Sequence, residues 1–553
     1  MSRLFETVAR EKVPYNVFPA GGDRKLSFKM GQIVPIFVAE TLPGDVFRAS
    51  TELLIKFAPL KAPVMHRIRA YIDYFYVPNY QICEPFGRFI NPRINTPDNP
   101  VLLPKITPWD ANNLGKLDLG SLADYMDLPV QQSGWKTSNK SKPLTVLPFR
   151  AYQHIYNSYF RDQTLQPMEG EDPLTTDLYL MEDKDSEGVA NFSLLTPAQK
   201  HQIANMMTLR YSAWKKDYFT SALPSPQAGP EVEIPFTPGV IQSDGSLFFE
   251  ATDDITTSGN KATYFTREGD SGKLGSFNIV QDSNNLPLSY SSGLEITKDP
   301  GSSALTINKL RVLFAFQHFQ ELQARGGSRE PEITANYFGV RLPDLYVDRP
   351  AYLGGVYQDV SVGEVLQTSQ TTLGESGSAQ GYRAGVASVY GKSKVLRYNC
   401  KLWGYIIGVL RVLPEAVYYQ GVERMWTRES LFDYAWPQFA NMGEQEIYNR
   451  ELYVDGTDAD NEVFGYAPRY AEYKTGCSHV NGEFRDSLSY WHFGRKFAER
   501  PALNAAFIEA SQISTDPFNV TDDSTDKLYC HMYTKASVLR SQPYYGTPGL
   551  LKL

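Results

Sequence analysis

Cysteine is scarce in this chain. Four cysteines occur among 553 residues, scattered over positions 83, 400, 477 and 530 without paired spacing. Disulfide scaffolds and zinc ribbons depend on closely spaced cysteines, so neither kind of fold is implied. The simplest compartment for such a protein is a reducing one.

Long hydrophobic runs are also missing. The best candidate, residues 402–413, is twelve residues long and contains Arg411. It is too short to cross a bilayer, and a buried strand is the better interpretation. Near the N-terminus, Glu6, Arg10 and Glu11 interrupt the apolar stretch that a signal peptide would need. We therefore expect no membrane span and no export by that route.

Signatures of catalysis and metal binding are few, and each is incomplete. Residues 269–272, Gly-Asp-Ser-Gly, resemble the nucleophile motif of chymotrypsin-like proteases, but no histidine stands in a suitable context and the composition is that of an ordinary turn. The pairs Cys477/His479 and Cys530/His531 do not have the usual zinc-ligand spacing. The sequence thus predicts no catalytic residue, no metal site, no cofactor and no enzymatic activity.

Aromatic side chains, by contrast, are plentiful. The chain holds 35 Tyr, 30 Phe and 7 Trp, while its mean hydropathy is −0.35. This balance favours twisted sheets and large contact surfaces. The 41 Gly and 36 Pro are close to the usual share, which indicates a globular chain.

The net charge of −8 is unevenly distributed. Residues 230–303 contain eleven acidic and four basic side chains, and residues 169–190 contain eight acidic and one basic, so each segment carries −7. The rest of the chain is therefore mildly basic, at +6. Acidic loops that serve solubility alone are the ordinary explanation for such segments.

Strand patterns occupy both ends of the chain. Strands are predicted over residues 26–41, 46–57, 67–76 and 395–413, where β-branched and aromatic residues are dense or alternate with a period of two. A turn signal at residues 42–45 separates the first two.

Three helices are marked between these strands. Apolar spacing predicts one over residues 152–160, a capping box before Pro197 starts a second that runs to about Tyr211, and a third extends from near Thr306 to Gly326. Strands and helices show no βαβ rhythm. The pattern favours a mainly β fold, an antiparallel sandwich or barrel with enlarged loops.

Basic residues interleave with aromatic ones in two places. One cluster comprises Arg67, Arg69 and Tyr71, and the other Arg424, Trp426 and Arg428. Such groups can bind phosphates and stack unpaired bases, so these six are candidate nucleic-acid-binding residues. A solvated strand face with cross-strand pairs is the alternative for either cluster.

Seven groups of motifs follow one another along the chain. They lie at residues 30–48 with 57–67 and 74–79, 120–129, 147–152 with 159–163, 217–224, 324–329 with 337–340, 349–355 and 545–549. Together they resemble the major capsid proteins of microviruses, above all the gokushovirus-like branch of the Microviridae. These are small tailless icosahedral bacteriophages with circular single-stranded DNA.

The resemblance implies an eight-stranded antiparallel jelly roll, the viral capsid β-barrel, with long loop insertions and a few helices. Residues 1–229 and 304–553 would form this capsid domain, and residues 230–303 an inserted surface protrusion at the threefold axes. The protrusion would serve host attachment, with Asp244, Asp253, Asp254 and Asp270 as candidate residues. An acidic exterior on a mildly basic remainder has the polarity expected of a shell around nucleic acid.

The resemblance also implies a structural function. The protein would self-assemble into a T=1 icosahedral capsid of about 60 copies around a circular ssDNA genome, which it would contact without sequence specificity. Further implied partners are a small basic internal DNA-binding protein, a DNA pilot protein, an internal scaffolding protein and a host surface receptor. Its location would be the virion, and the host bacterial cytoplasm during assembly.

Two other classes remain open on the residues alone. A secreted β-sandwich that binds or hydrolyses glycans would use Tyr and Trp platforms, but it should carry a signal peptide and a nominated acid pair. A phage adsorption protein would share the β architecture but should show a fibre repeat, and we find none.

Overall fold

The computed structural model describes most of the chain. The described residues are 14–98, 100–101, 103–138, 141–168, 197–227, 242–243, 249–251, 288–290, 294–295, 307–326, 330–340, 343, 348–366, 383–520, 522 and 524–545. The chain divides into two compact units, Met1–Pro226 with Gln323–Leu553, and Gln227–Leu322.

Strands dominate the first unit, as the composition predicts. In chain order, the strands of the described residues are β1 (Tyr15–Pro19), β2 (Gly22–Phe28), β3 (Val34–Thr41), β4 (Val46–Phe57), β5 (Ile68–Pro78), β6 (Lys105–Ile106), β7 (Leu144–Thr145), β8 (Gln242–Ser243), β9 (Phe249–Ala251), β10 (Leu288–Tyr290), β11 (Leu294–Glu295), β12 (Ala351–Asp359), β13 (Ser361–Leu366), β14 (Arg383–Lys392), β15 (Leu396–Asn399), β16 (Gly404–Pro414), β17 (Glu444–Tyr448), β18 (Val463–Pro468) and β19 (Leu528–Ser541).

The helices are mostly short. They are α1 (Asn79–Ile82), α2 (Phe86–Phe89), α3 (Pro108–Asn113), α4 (Leu122–Tyr125), α5 (Ser133–Lys136), α6 (Leu147–Ile155), α7 (Pro197–Met206), α8 (Ile307–Gly326), α9 (Glu330–Phe338), α10 (Asn449–Leu452) and α11 (Ala505–Ile508). Single 3-10 turns occur at Arg424–Trp426, Leu431–Asp433, Pro437–Phe439, Asp458–Asn461, Ala471–Tyr473, Gly482–Arg485 and Ser489–Trp491. Among the described helices, none has the length and apolarity to cross a bilayer.

Two antiparallel sheets form the framework of the first unit. A seven-stranded sheet has the order β1-β19-β4-β14-β13, with β2 also paired to β19 and β15 to β4. A four-stranded sheet has the order β12-β5-β16-β3. Every pairing in both sheets is antiparallel. The prediction of a mainly β, antiparallel fold is confirmed.

The central strands of the four-stranded sheet, β5 and β16, are largely buried on both faces, and β5 shows why. Its even-numbered residues, among them Ile72 and Tyr76, join the core between the two sheets, with Phe47 and Met532 on the opposite side. Its odd-numbered Phe75 and Val77 belong to a second core. The predicted alternation with a period of two is therefore real, and each set of residues packs against a different layer.

A helical layer covers the outer face of the four-stranded sheet. Residues from α1, α4, α6 and α7, including Ile82, Leu122, Tyr152 and Ile203, pack there and form the second core. The predicted helix near Tyr152 is α6, which continues into a π-helical turn at Tyr156–Phe160. A third, smaller core lies among the loops after β16, around Phe464 and Phe507.

Two predicted elements have different boundaries in the structure. The run over 26–41 is split into β2 and β3, which lie in different sheets, because Gly31 takes a φ of 84° and reverses the chain between them. The helix predicted to reach Tyr211 ends at Met206. After it the chain is extended, since the Ile33 amide donates to the Arg210 carbonyl and Tyr211 bridges to Gln32.

A third predicted element, the strand over 395–413, is also divided, because β15 pairs with β4 in the seven-stranded sheet whereas β16 pairs with β3 and β5 in the four-stranded sheet. The other predicted elements agree with the structure. The third helix is α8, the strand predicted over 46–57 is β4, and the buried strand predicted near 402–413 is β16, whose backbone pairs on both sides. In the second unit, β9 pairs with β10 and β8 with β11, both antiparallel.

Candidate nucleic-acid interface

The first basic and aromatic cluster lies at the start of β5, beside β12. Arg69 Nε is 3.0 Å from Asp359 Oδ1, and Arg67 Nε is 3.9 Å from the same oxygen. The Arg69 guanidinium lies 5.1 Å from the centroid of the Tyr357 ring, which is itself 6.1 Å from the Tyr71 ring. Two cations share one carboxylate, so a net positive charge remains beside two tyrosine rings.

The second cluster lies in the loops that follow β16. Arg424 Nη1 is 3.5 Å from Glu451 Oε1, and Arg428 Nη2 is 3.5 Å from Glu472 Oε1. Trp426, between the two arginines, is 75% exposed. Each arginine has its own carboxylate, so this cluster is close to neutral. The two clusters look equivalent in sequence, but they lie on different elements and differ in charge balance.

A cleft of about 890 Å³ opens beside the second cluster. Segments near residues 215–219, 415–428 and 472–485 line it. Its charged lining consists of five basic and five acidic side chains, namely Lys215, Lys216, Arg424, Arg428 and Arg485, and Asp217, Glu415, Glu423, Glu451 and Glu472. A balanced lining does not concentrate a polyanion by charge. The sequence held no signal for this cleft because its walls meet only in the fold.

Two tyrosine–carboxylate hydrogen bonds lie among the residues that line the cleft. The Tyr218 hydroxyl donates to Glu451 Oε2 over 2.9 Å, and the Tyr418 hydroxyl donates to Asp217 Oδ2 over 3.0 Å. Burial raises the pKa of Glu451, and burial likewise raises the pKa of both tyrosines. These groups are bonded to one another inside the protein. These hydrogen bonds therefore stabilise the segments that line the cleft.

The cysteine and histidine pairs do not converge. Cys530 is buried in the core, where burial raises its pKa to about 12, whereas the adjacent His531 is exposed on the opposite face of β19. His479 Nδ1 lies 3.1 Å from Glu423 Oε1. Across the described ranges, no group of three or more His, Cys, Asp or Glu residues could hold a metal ion.

The candidate host-attachment residues lie outside the described residues. They are Asp244, Asp253, Asp254 and Asp270. The same holds for the Gly-Asp-Ser-Gly segment at 269–272.

Comparison with known proteins places the whole chain in one group. Residues 10–550 match the family described as Capsid protein (F protein). The chain is 32% identical to the capsid protein VP1 of Chlamydia phage 1, over 100% of this chain and 98% of that protein. It is 31% identical to the capsid protein VP1 of Bdellovibrio phage phiMH2K, over 95% and 93%. It is 28% identical to the capsid protein VP1 of Spiroplasma virus 4, over 95% and 94%.

These relatives are microvirus proteins, so the resemblance found in the sequence motifs is confirmed. They are structural proteins of a family not known to be enzymatic, which agrees with the expectation that this protein is not an enzyme. The chain belongs to the Capsid protein (F protein) family of microviruses.

Proposed function

We propose that this protein is a major capsid protein that self-assembles into a T=1 icosahedral shell around a circular ssDNA genome. The observation that carries the proposal is the family match over residues 10–550, together with the printed names of the relatives. The protein would work by binding energy spread over broad interfaces, and no reaction would be catalysed.

The strand order supports a jelly roll as the shell-forming domain. Its eight strands would be β2, β19, β4 and β14 in one sheet, and β3, β16, β5 and β12 in the other. Along the chain, successive members of this set alternate between the sheets, except that β5 and β12 are neighbours in one sheet. Such alternation across two packed antiparallel sheets is what two interlocked Greek keys require. Strands β1, β13 and β15 would be additions at the edges.

An exposed apolar surface supports self-assembly. We define the aromatic loop as residues 422–442. Its eight exposed apolar side chains are Val422, Met425, Trp426, Leu431, Phe432, Tyr434, Trp436 and Met442, each 38–75% exposed. Taking about 200 Å² for a large side chain, they expose on the order of 900 Å². This is close to the roughly 800 Å² that one partner contributes to a standard interface.

The aromatic loop is held in one conformation by its own hydrogen bonds. The Asp433 carboxylate accepts from the amides of Glu429 and Ser430 over 2.9 and 2.7 Å. The Trp436 indole donates to the Leu431 carbonyl over 2.9 Å. A surface that is already ordered loses little conformational entropy when it binds, which suits a repeated subunit contact.

The DNA contacts of the shell would be non-specific and weak for each subunit. The Arg67, Arg69 and Tyr71 cluster remains a proposed point of contact because its charge balance is positive. The Arg424, Trp426 and Arg428 cluster is the weaker candidate, since carboxylates neutralise both arginines. We propose that a small basic internal protein shares the neutralisation of the genome. A DNA pilot protein and an internal scaffolding protein would be further partners, with assembly in the host cytoplasm.

The acidic insertion at residues 230–303 is proposed as the host-attachment protrusion, with Asp244, Asp253, Asp254 and Asp270 as candidate residues for the host receptor. Its distinct charge and its bounded position in the sequence support this role.

Expression of the full chain, alone and with its scaffolding partner, tests the proposed function. Negative-stain electron microscopy and sedimentation should reveal icosahedral particles or discrete assembly intermediates. A protein that stays strictly monomeric under every condition, including with scaffold, contradicts the proposal.

A further inference from the structure

The outward face of the seven-stranded sheet is built from residues that lie side by side in register. Strand β19 is central here, and its Tyr529, His531 and Tyr533 are all exposed. Tyr529 lies opposite Lys56 of β4, and His531 lies opposite Lys25 of β2. The inward residues of the same strands fill the core between the sheets. We call this surface, on β2, β19, β4, β14 and β15, the outer sheet face.

The outer sheet face is strongly basic. Pairing and exposure place six basic and two acidic side chains on it, namely Lys25, Arg48, Lys56, Lys392, Arg397 and Lys535, and Asp23 and Glu52. These side chains therefore carry +4, or +3 when the carboxylate of Asp526, which accepts from the outward-facing Ser27, is included, although the whole chain carries −8. The protein as a whole is acidic, so this positive charge is a local feature of one surface. Its sign is the one that attracts a polyanion.

Most of these cations have no anionic partner among the described residues. Glu52 pairs with Lys392 at 2.6 Å, and Asp23 lies 3.4 Å from His531. Within the part of the chain that the structure describes, Lys25, Arg48, Lys56, Arg397 and Lys535 make no ion pair. An anionic ligand would meet cations that are not already neutralised.

Two of the unpaired cations face each other directly. Arg48 of β4 is the register partner of Arg397 of β15, and both are exposed. Side chains directly opposite in an antiparallel pair have Cβ atoms about 4.5–5.5 Å apart, and like charges there are destabilising. A bound phosphate between the two guanidinium groups would relieve this repulsion.

Tyrosine rings are interspersed among the cations. Tyr529 and Tyr533 are each 45% exposed, and Tyr390 of β14, opposite Leu54, is 73% exposed. Sheets that combine exposed aromatic rings with a positive surface bind single strands, because unpaired bases stack on rings whatever their sequence. From Lys56 to Arg48 the face extends about 27 Å along the strands, which is room for several nucleotides.

Among the described residues, those with side chains on this face are largely exposed. The outer side of the four-stranded sheet is covered by α1, α4, α6 and α7, whereas β19 alternates buried and exposed residues along most of its length. Subunit contacts favour apolar surface and avoid lysine at their centre. That description fits the aromatic loop and not the outer sheet face.

We propose that the outer sheet face is the surface through which the protein binds single-stranded DNA, with phosphates on the unpaired lysines and arginines and bases on the tyrosines. The proposal rests on the proposed function and deepens it, since it names the surface of the shell protein that meets the genome. On this proposal the outer sheet face points to the interior of the shell, and it replaces the Arg67, Arg69 and Tyr71 cluster as the proposed DNA contact, because the odd-numbered residues of β5 face away from the seven-stranded sheet.

Binding of a fluorescent oligo(dT) of about 20 nucleotides to the full chain tests the proposal. The key variant is Lys25→Gln/Lys56→Gln/Lys535→Gln, and the matched control is Lys142→Gln/Lys474→Gln/Lys496→Gln, which removes the same charge from exposed sites elsewhere. The key variant should bind about tenfold more weakly, and the slope of log affinity against log salt should fall by about 2. The control variant should keep the wild-type slope.

A second pair of variants separates stacking from charge. Tyr529→Ala/Tyr533→Ala should weaken oligo(dT) binding about tenfold, whereas Tyr529→Phe/Tyr533→Phe should bind like the wild type because the rings remain. Ultraviolet crosslinking of oligo(dT) to the wild-type protein should modify peptides from β19 and β4, and this measurement does not depend on any variant folding.

Equal affinity and salt slope for the key and control variants would overturn the proposal, as would crosslinks confined to other segments such as the start of β5. If the key variant loses shell assembly but binds oligo(dT) like the wild type, the outer sheet face is a subunit contact, and this result would also overturn the proposal. A wild type that forms no particle under any condition would count against the proposed function instead. In that case, the crosslinked peptides would still show whether the outer sheet face binds oligo(dT).

Discussion

Arg540 holds the buried carboxylate of Asp45 with two nitrogens. Its Nη2 lies 2.6 Å from Asp45 Oδ2, and its Nε lies 3.1 Å from Oδ1. Asp45 is 1% exposed, and it also accepts from the Leu42 amide over 2.9 Å. The contact joins the turn between β3 and β4 to the C-terminal strand β19, so it ties together segments almost 500 positions apart.

Arg540→Ala should therefore lower the free energy of unfolding by about 3–5 kcal/mol, because it leaves a buried carboxylate without its counter-ion. Lys392→Ala is the control, since it removes an ion pair with Glu52 that is exposed on both sides and should cost less than about 1 kcal/mol. Denaturant unfolding of unassembled subunits would measure both. Equal losses of unfolding free energy in the two variants would show that the Arg540–Asp45 contact stabilises the subunit no more than an exposed ion pair does.

Gly31 should not tolerate a side chain. Its φ is 84°, and a Cβ built there would lie 2.0 Å from the Ala510 carbonyl oxygen. Gly31→Ala should destabilise the subunit by more than about 3 kcal/mol. Gly115 also has a positive φ, of 66°, but open space around it, so Gly115→Ala should cost about 1 kcal/mol. Both substitutions place alanine at a positive φ, so the difference between their losses of thermal stability measures the cost of the close approach to Ala510.

His66 should make the stability of the subunit depend on pH. Its Nε2 lies 2.7 Å from the Glu415 carbonyl, its ring lies 6.1 Å from Phe493, and burial lowers its pKa. Folded His66 stays neutral below the pH at which an unfolded histidine takes up a proton. Protonation then stabilises the unfolded chain, so stability is lost as pH falls below about 6.5, by up to about 1.4 kcal/mol per pH unit.

Unfolding measured between neutral and mildly acid pH tests this effect. His66→Gln should flatten the pH dependence, because it removes the buried imidazole whose pKa is lowered. Parallel curves for the wild type and His66→Gln would show that other groups cause the loss.

The aromatic loop should be required for assembly but not for folding. Trp426→Ala/Phe432→Ala removes two of its most exposed rings, which are 75% and 62% exposed. We expect normal unfolding of the subunit and loss of particles in negative stain, because aromatic anchors dominate interface energies. Leu119→Ala is the control, at an apolar site that is 67% exposed. Particles of normal yield from the double variant would place the subunit contacts elsewhere.

The acidic insertion should be dispensable for the shell. Replacement of residues 232–302 by a short Gly/Ser linker should leave particle assembly intact and impair attachment to the host, because the segment is polar, bounded and distinct in charge. Particle yield and adsorption to host cells measure the two effects separately. Loss of assembly with normal folding would identify the insertion as an interface.

Local patterns in the sequence predicted an element correctly where the surroundings of each residue follow from its position within that one strand or helix. The period of two in β5 predicts a strand with two different faces, and those faces belong to two different cores. The start of α7 was correct at Pro197, but its end was not, because Arg210 and Tyr211 pair with the chain near Ile33, far away in sequence. Pattern reasoning cannot weigh such a long-range pairing against helix propensity.

The candidate site shows the same limit more clearly. Arg67, Arg69 and Tyr71 are neighbours in sequence, and so are Arg424 and Arg428, so both groups were visible without a fold. The outer sheet face was not, because its cations and tyrosines come from five strands between β2 and β19. Each strand contributes one to three residues that look like ordinary solvated strand positions.

The amino-acid sequence by itself determined the family, the mainly β character and the acidity of two insertions, since each of these is carried by local motifs or by composition. Only the tertiary structure decided which cations stand together and which are neutralised. Register in an antiparallel sheet sets the neighbours of a side chain, and those neighbours decide whether Lys56 or Arg424 is free to meet a phosphate.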